Sequence, residues 1–508
     1  MKENSNRSAG RWLLAATILG SSMVFIDGTA VNVALPALQK SLDASISEVQ
    51  WVVEAYILTL SALMLVGGAL GDRYGRRLVF SIGIASFAGA SAWCGLAPNA
   101  IQLILARGVQ GIAAALLVPG SLALITGFFP AADRGKAIGT WAAASAMTGV
   151  AGPALGGWLV DAGSWRAIFV INLPLAAIAL GILLLKVPRD TPARSAGPLD
   201  WPGGLLATFG LGGVVLGFIE SERLGIGNPL VLGFLAAGVL FLAGWVVQER
   251  RAAVPLLPLE LFRSGTFAGA NLFTLFLYAA ISGTLFFLPM NLVQIRGYSA
   301  TQAGLALLPL IAIISLLSRW VGGLMNRTGA RWLMIGGAAV AAIGYGLFAL
   351  PGMQGTYWTT FFPALVMLGL GMAFCVAPLT TVAMTSAPSE RAGIASGINN
   401  AVSRVAGLLA IACLGALFVW CFRQRLSAQL DALQLDPALR HAVESETGNL
   451  AAMKIPPGAD SATAAGLTAA IRDSFVSGFR LVSRVSAGLA LLSALTAWAT
   501  IRPGRPRS

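Results

Sequence analysis

Fourteen mostly apolar runs, each about 20 residues long or longer, follow one another along the chain with short polar joins between most of them. They cover 12–38, 49–71, 78–97, 101–129, 135–160, 165–187, 199–219, 228–248, 266–294, 302–325, 332–350, 357–386, 392–422 and 477–500. A helix that is apolar all round must be buried in protein or lipid, and a segment in lipid must satisfy its own backbone hydrogen bonds. The pattern therefore predicts an all-α integral membrane protein. The 508 residues are 56% hydrophobic and 11% charged, with a mean hydropathy of +0.78, which is far from a water-soluble composition.

Basic residues orient the chain. With the N-terminus inside, 21 Lys and Arg fall on inner ends and loops, among them Arg73, Arg76, Arg77, Arg134, Lys186, Arg250, Arg327 and Arg331. The short outer loops hold only Lys40, Arg166, Arg223 and Arg296. This asymmetry predicts cytoplasmic termini. It also accounts for the net charge of +13 through topology and anionic lipid, with no nucleic-acid partner implied. The first run holds Asp27, Asn32 and Pro36 and is too long for a cleaved leader, so it is expected to remain in the protein. Cys94, Cys375, Cys413 and Cys421 lie within or at the ends of apolar runs and lack metal-ligand spacing, and the single histidine, His441, lies in a polar loop. No metal or other cofactor is expected. Residues 423–476 form one long polar loop on the outer side, read either as a small cap or as a flexible connector.

Two motifs recur at nearly one shift. In "GGALGDRYGRR", residues 67–77, Asp72, Arg73, Gly75 and Arg77 align with Asn326, Arg327, Gly329 and Arg331 of "MNRTGAR" 254 residues later. "DRGKAIG" at 133 returns as "ERAGIASG" at 390, a shift of 257. Repeats of this size indicate duplicated halves of six helices, 1–190 and 261–508, with two inserted helices within 191–260.

The first of these motifs, carried by Gly68, Asp72, Arg73, Gly75, Arg76 and Arg77, resembles the signature loop of the major facilitator superfamily. "LARGVQG" resembles that superfamily's R-x-x-Q-G motif, with Arg107, Gln110 and Gly111 in place. "GVAGPALGGW" resembles its antiporter motif, carried by Gly152, Pro153, Gly156 and Gly157, with Thr148 where the longer form has glycine. "DGTAVNVALP", residues 27–36, is similar to the first-helix motif of the 14-helix drug:proton antiporters of the EmrB/QacA type. The resemblance implies two six-helix bundles rocking about a central site. It also implies that the signature loop, with its repeat at Asn326, Arg327, Gly329 and Arg331, gates the inner side. Asp72 is then expected to pair with Arg134 or with an arginine of its own loop. The alternative for Arg76 and Arg77 is topological anchoring, and for the fifth-helix glycines it is dense packing.

Ionisable side chains inside a membrane need a partner or a purpose. At 1.5 Å per residue, Asp27, Glu54 and Arg107 lie roughly 13, 8 and 9 Å from the outer ends of their spans, so all three can meet in the outer half of the N-terminal bundle. An arginine that holds a carboxylate in one state and releases it in another makes a proton switch. Asp27 with Arg107 is the first choice for it, then Glu54; the alternative is a static pair, or an Asp27 hydrogen-bonded near Asn32. Glu220, Phe25, Trp141 and Tyr278 could contact a lipophilic, often cationic, substrate, or simply pack. Arg404 and Glu222 are either functional or interfacial.

No Walker-type phosphate loop is present, so the energy source expected is the proton gradient. Three classes follow: proton-driven efflux of drug-like organic compounds, with antibiotic resistance as its outcome; a same-fold exporter of an endogenous metabolite, lipid or siderophore; and a membrane binding protein or sensor, which has little use for gated halves. None is an enzyme. The transport unit is expected to be a monomer in a bacterial cell membrane, with a periplasmic adaptor where a second membrane exists.

Overall fold

The computed structural model describes residues 2–188, 200–252, 255, 257–350, 352, 355–387, 392–456 and 459–501, apart from some side chains within these stretches. The helices are α1 (Lys2–Leu42), α2 (Ile46–Tyr74), α3 (Arg76–Leu96), α4 (Ala100–Phe128), α5 (Ala131–Ala162), α6 (Ala167–Val170), α7 (Asn172–Lys186), α8 (Trp201–Leu224) and α9 (Pro229–Arg251). They continue as α10 (Gly265–Met290), α11 (Ala300–Ala306), α12 (Leu308–Thr328), α13 (Ala330–Phe348), α14 (Tyr357–Thr360), α15 (Phe362–Thr385), α16 (Ala392–Ala432), α17 (Pro437–Ser445) and α18 (Ser461–Thr500). Thirteen helical segments among the described residues are long and apolar enough to cross a membrane. The remaining expected span, 135–160, falls on α5, a 32-residue helix.

Local chemistry sets the ends. Ser45 and Glu48 form a capping box at the start of α2, and Ser299 with Gln302 repeats it at α11. Asp200 and Asp460 cap α8 and α18. Gly75 and Gly329 both stand at positive φ, 100° and 78°, and turn the chain tightly between α2 and α3 and between α12 and α13.

In the N-terminal part α1 packs on α4, α5 and α7, α2 on α4, and α3 on α4 and α7. In the C-terminal part α10 packs on α16 and α18, α13 on α15 and α18, and α12 on α15. The hairpin of α8 and α9 stands outside both, with Leu211, Val215 and Ile219 of α8 lying over the seam where α2 meets α16. Arg77 donates to the carbonyls of Leu183 and Leu184 at the end of α7, and Arg331, which aligns with it in the recurring motif, donates to the carbonyl of Trp498 at the end of α18.

We call the face bearing the first and last helix ends inner, after the charge asymmetry. One apolar core joins the outer half of the N-terminal part to the C-terminal part, where it continues to the inner end at Ala497 and Ile501. Toward the inner face the N-terminal part has its own cluster around Phe80 and Phe87, and the C-terminal part has a separate one around Leu261 and Phe267. The parts are thus closed on each other at the outer side and separately packed at the inner side.

The long outer loop is shorter than expected. α16 runs ten residues past 422 and α18 begins sixteen residues before 477, because both helices carry their ladders beyond the apolar run and are tied by Arg425 and Gln429 donating to Asp473. The connection between them is a cap. Its 3-10 turn Thr447–Ala452 touches α1, α2, α16 and α18, and buries Leu450 to 1% exposure with φ 50°.

Candidate functional site

Three helices bring the expected ionisable residues into the N-terminal bundle. Asp27 of α1 is fully buried and accepts a short hydrogen bond from Arg107 Nη1 and another of 3.0 Å from Gln110 Nε2. Arg107 of α4 also donates to Gln110 Oε1 (2.7 Å) and to the Val52 carbonyl (3.0 Å), and its guanidinium lies 4.1 Å from the centroid of the Tyr56 ring. Gln110 Nε2 reaches Ser91 Oγ at 2.7 Å, and Asn172 Nδ2 reaches the same hydroxyl at 3.1 Å. Groups on α1, α2, α3, α4 and α7 thereby close one polar network in a dry interior, where each unmade bond would be costly. Asp27 and Arg107 meet as the sequence suggested, while Asn32 donates to the Gly28 carbonyl. Ser91 and Asn172 were not foreseen; uncharged polar residues in apolar runs carry no distinguishing signal.

Glu54 does not join this network. It is fully buried on α2, and neither carboxyl oxygen has a hydrogen-bond partner. Its electrostatic neighbour is the Cys413 thiol of α16, so it sits near the seam between the two parts.

The glycines of α5 are contact points. A Cβ on Gly152 would lie 1.9 Å from Thr29 Oγ1, and one on Gly156 would lie 2.7 Å from Ala30 Cβ, so both glycines seat α5 on α1. Gly157 faces the C-terminal part, where a Cβ would stand 2.3 Å from the Ala300 carbonyl oxygen. Gly304 of α11 faces back, with 2.1 Å to the Pro153 carbonyl oxygen. Just outside, Asp161 accepts from the backbone amides of Ala300 (3.1 Å) and Thr301 (2.7 Å). Gln294 donates to Gln39 at 2.8 Å, and Gln39 donates to the Asn449 carbonyl at 3.2 Å. Lys454 pairs with Asp43 at 2.8 Å.

At the inner side, Arg76 donates to the Ala123 carbonyl (2.9 Å), and Arg73 and Arg327 are exposed. Gly68 lies against Pro119. The side chains of Asp72, Arg134 and Asn326 lie outside the described residues, so the expected latch does too. Among the expected substrate contacts, Trp141 donates to Ser21 Oγ (3.0 Å), Tyr278 packs against the main core, and Phe25 and Glu220 are half-buried.

A polytopic helical bundle with a charged network sealed in its interior and two parts meeting along one seam is built as a membrane transporter. The chain belongs to the Major Facilitator Superfamily, whose family model matches residues 17–411. It is 36% identical to the "Multidrug resistance protein Stp" of Mycobacterium tuberculosis over 85% of this chain and 80% of that one. It is 34% identical to the "Tetracenomycin C resistance and export protein" of Streptomyces glaucescens (95% and 90% covered) and to the "Puromycin resistance protein pur8" of Streptomyces alboniger (98% and 95%). Among solved structures, a bacterial homolog of the human lysosomal transporter Spinster aligns with a TM-score of 0.64 at 18% identity, covering 98% of this chain and 99% of that one. The xylose transporter XylE of E. coli aligns at 0.58 and 16%, covering 98% and 97%. These two show the shared fold.

Proposed function

We propose that this protein is a drug:proton antiporter of the 14-helix EmrB/QacA type. It exports drug-like, lipophilic organic compounds across a bacterial cell membrane by alternating access of two six-helix parts, with both termini in the cytoplasm. The resistance relatives support the cargo class, and the separate inner clusters support access from the cytoplasm in this state.

The observation that carries proton coupling is the contrast between the two buried acids. The charge of Asp27 is matched by Arg107, whereas among the described residues Glu54 has no counter-charge and no hydrogen bond for either oxygen. A bare carboxylate there would bear the full desolvation cost, and a bound proton removes it. Closing the outer seam over Glu54 therefore favours a proton on it, and Arg107 holding Asp27 is one position of the switch. Asp27, Arg107 and Glu54 form the coupling set, the signature loop and its repeat the inner gate, and Gly152, Pro153, Gly156 and Gly157 the outer seal.

The second reading, export of a metabolite made by the cell itself, draws on the relative named for exporting tetracenomycin C and on one named as a probable actinorhodin transporter. Dye uptake into inverted vesicles, with the pH gradient intact and collapsed, tests the first reading. Uptake should stop with the gradient, and ATP-driven uptake without a gradient would contradict it.

A further inference from the structure

One membrane-embedded charge is not used by this scheme. Arg404 lies on α16, roughly 18 Å along the helix from its inner end at 1.5 Å per residue, well inside a hydrocarbon layer of about 30 Å. Among the described residues it forms no ion pair and no hydrogen bond. Its electrostatic neighbour among them is the Tyr56 hydroxyl of α2, which is itself buried without a hydrogen bond.

Its direction follows from the helix. Residues three and four apart share a face, and Gly407 meets Ser282 of α10 while Leu408 packs against α8. Arg404 lies on the face between these contacts, which turns it across the seam toward α2. The side chain is half-buried, and it lies in the inner half of α16, the side on which the two parts are packed separately. Neither Asp27 nor Glu54 completes it: Asp27 is held by Arg107, and Glu54 sits farther out beside Cys413.

A guanidinium at this depth without a counter-charge is expensive to keep, so residues of this kind mark ligand paths. Its planar fork matches a carboxylate through two parallel hydrogen bonds, and the Tyr56 hydroxyl adds a donor beside it. We infer that Arg404 is the binding residue for an acidic group on the exported compound, which makes lipophilic, aromatic acids a substrate class of this protein. The inference rests on the export reading only for the fate of the bound compound; binding itself does not depend on transport.

The test uses three fluorescent compounds on one ring system: 2-anthracenecarboxylate, 2-anthracenecarboxamide and 2-(aminomethyl)anthracene. Binding to the purified full-length protein is read by tryptophan quenching, and transport by proteoliposomes under an imposed pH gradient. The wild type should bind the carboxylate most tightly. Arg404→Gln should weaken that binding by about ten-fold or more and leave the amide and amine unchanged, while Arg404→Lys, which keeps the charge but not the fork, recovers part of it. Equal carboxylate affinity in wild type and Arg404→Gln, or tighter binding of the amine than of the carboxylate by the wild type, would overturn the assignment. So would an equal loss for all three compounds, which would mark Arg404 as a structural or gating residue. Arg404-dependent binding with no transport of any compound would uphold the assignment and sink the export reading; gradient-driven transport indifferent to Arg404 would do the reverse.

Discussion

Arg107 on α4 donates to Asp27 on α1, 80 positions earlier in the chain, and both side chains are at most 2% exposed. The pair is the hub of a network in which Gln110 and Ser91 leave little unsatisfied. Removing one partner from such a pair costs about 3–5 kcal/mol through the charge left behind. Arg107→Ala should therefore reduce both coupling and the yield of monodisperse protein, as size-exclusion chromatography would show. Asp27→Asn keeps an acceptor for Gln110 but leaves the Arg107 charge unmatched, so yield should fall here too, and the protein that does fold should show no substrate-driven proton movement. Retained proton exchange in Asp27→Asn would move the carrier role to Glu54 alone.

The outer seal depends on backbones that touch. Gly157→Val places branched carbons where the Ala300 carbonyl stands, and Gly156→Val places them in Ala30. Overpacking of this kind costs about 1–3 kcal/mol in the closed arrangement. Gly157→Val should be trapped with the outer side parted, labelling at an introduced outer cysteine faster than the parent, with transport lost, whereas Gly156→Val strains the α1–α5 contact inside the N-terminal part and should lower yield and transport. Unchanged labelling and transport would remove the sealing role.

Asp161 ties the two parts together. Partial burial raises its carboxyl, but the hydrogen bonds from Thr301, Ser299 and Ala300 outweigh that and hold it below the ordinary aspartate range. A depressed value means that the contact contributes fully above the unfolded value of about 3.9 and is lost only as pH falls through the lower folded value. Outer closure should thus be independent of Asp161 titration between pH 5 and 8. Asp161→Ala should weaken it by about 1 kcal/mol, the cost of losing a helix cap, at every pH in that window. Cysteine accessibility against pH measures both.

Leu450 fills a socket made by helices of both parts, at a φ that a leucine seldom adopts. Leu450→Ala should favour the parted outer state through lost burial, while Leu450→Gly, which relieves the backbone, should cost less than its smaller side chain implies. Thermal denaturation of the two variants gives the order.

What could be read from the sequence follows from where the physics is local. Apolar run length fixes the spans, and Gly75 and Gly329 betray the repeat because a tight turn needs a residue free to take positive φ. Asp27 and Arg107 stand out because charges are rare in such runs. Depth alone groups Glu54 with them, and depth does not say which way a helix faces. The long helices α16 and α18 were cut short at the end of their apolar runs, because solvent-exposed helix continues on propensity and on the Arg425–Asp473 tie. The Leu450 turn, in "TGNLAA", reads as ordinary loop because its burial depends on residues some 400 positions away.

The central claim is exchange of substrate for protons through Glu54 and Asp27. It is tested most directly by proteoliposomes holding a pH-sensitive dye, to which a transported compound is added on the side facing the inner ends. The wild type should move protons opposite to the compound, and Glu54→Gln and Asp27→Asn should move none. Transport at full rate with the gradient collapsed, or unchanged proton movement in both variants, would contradict the account.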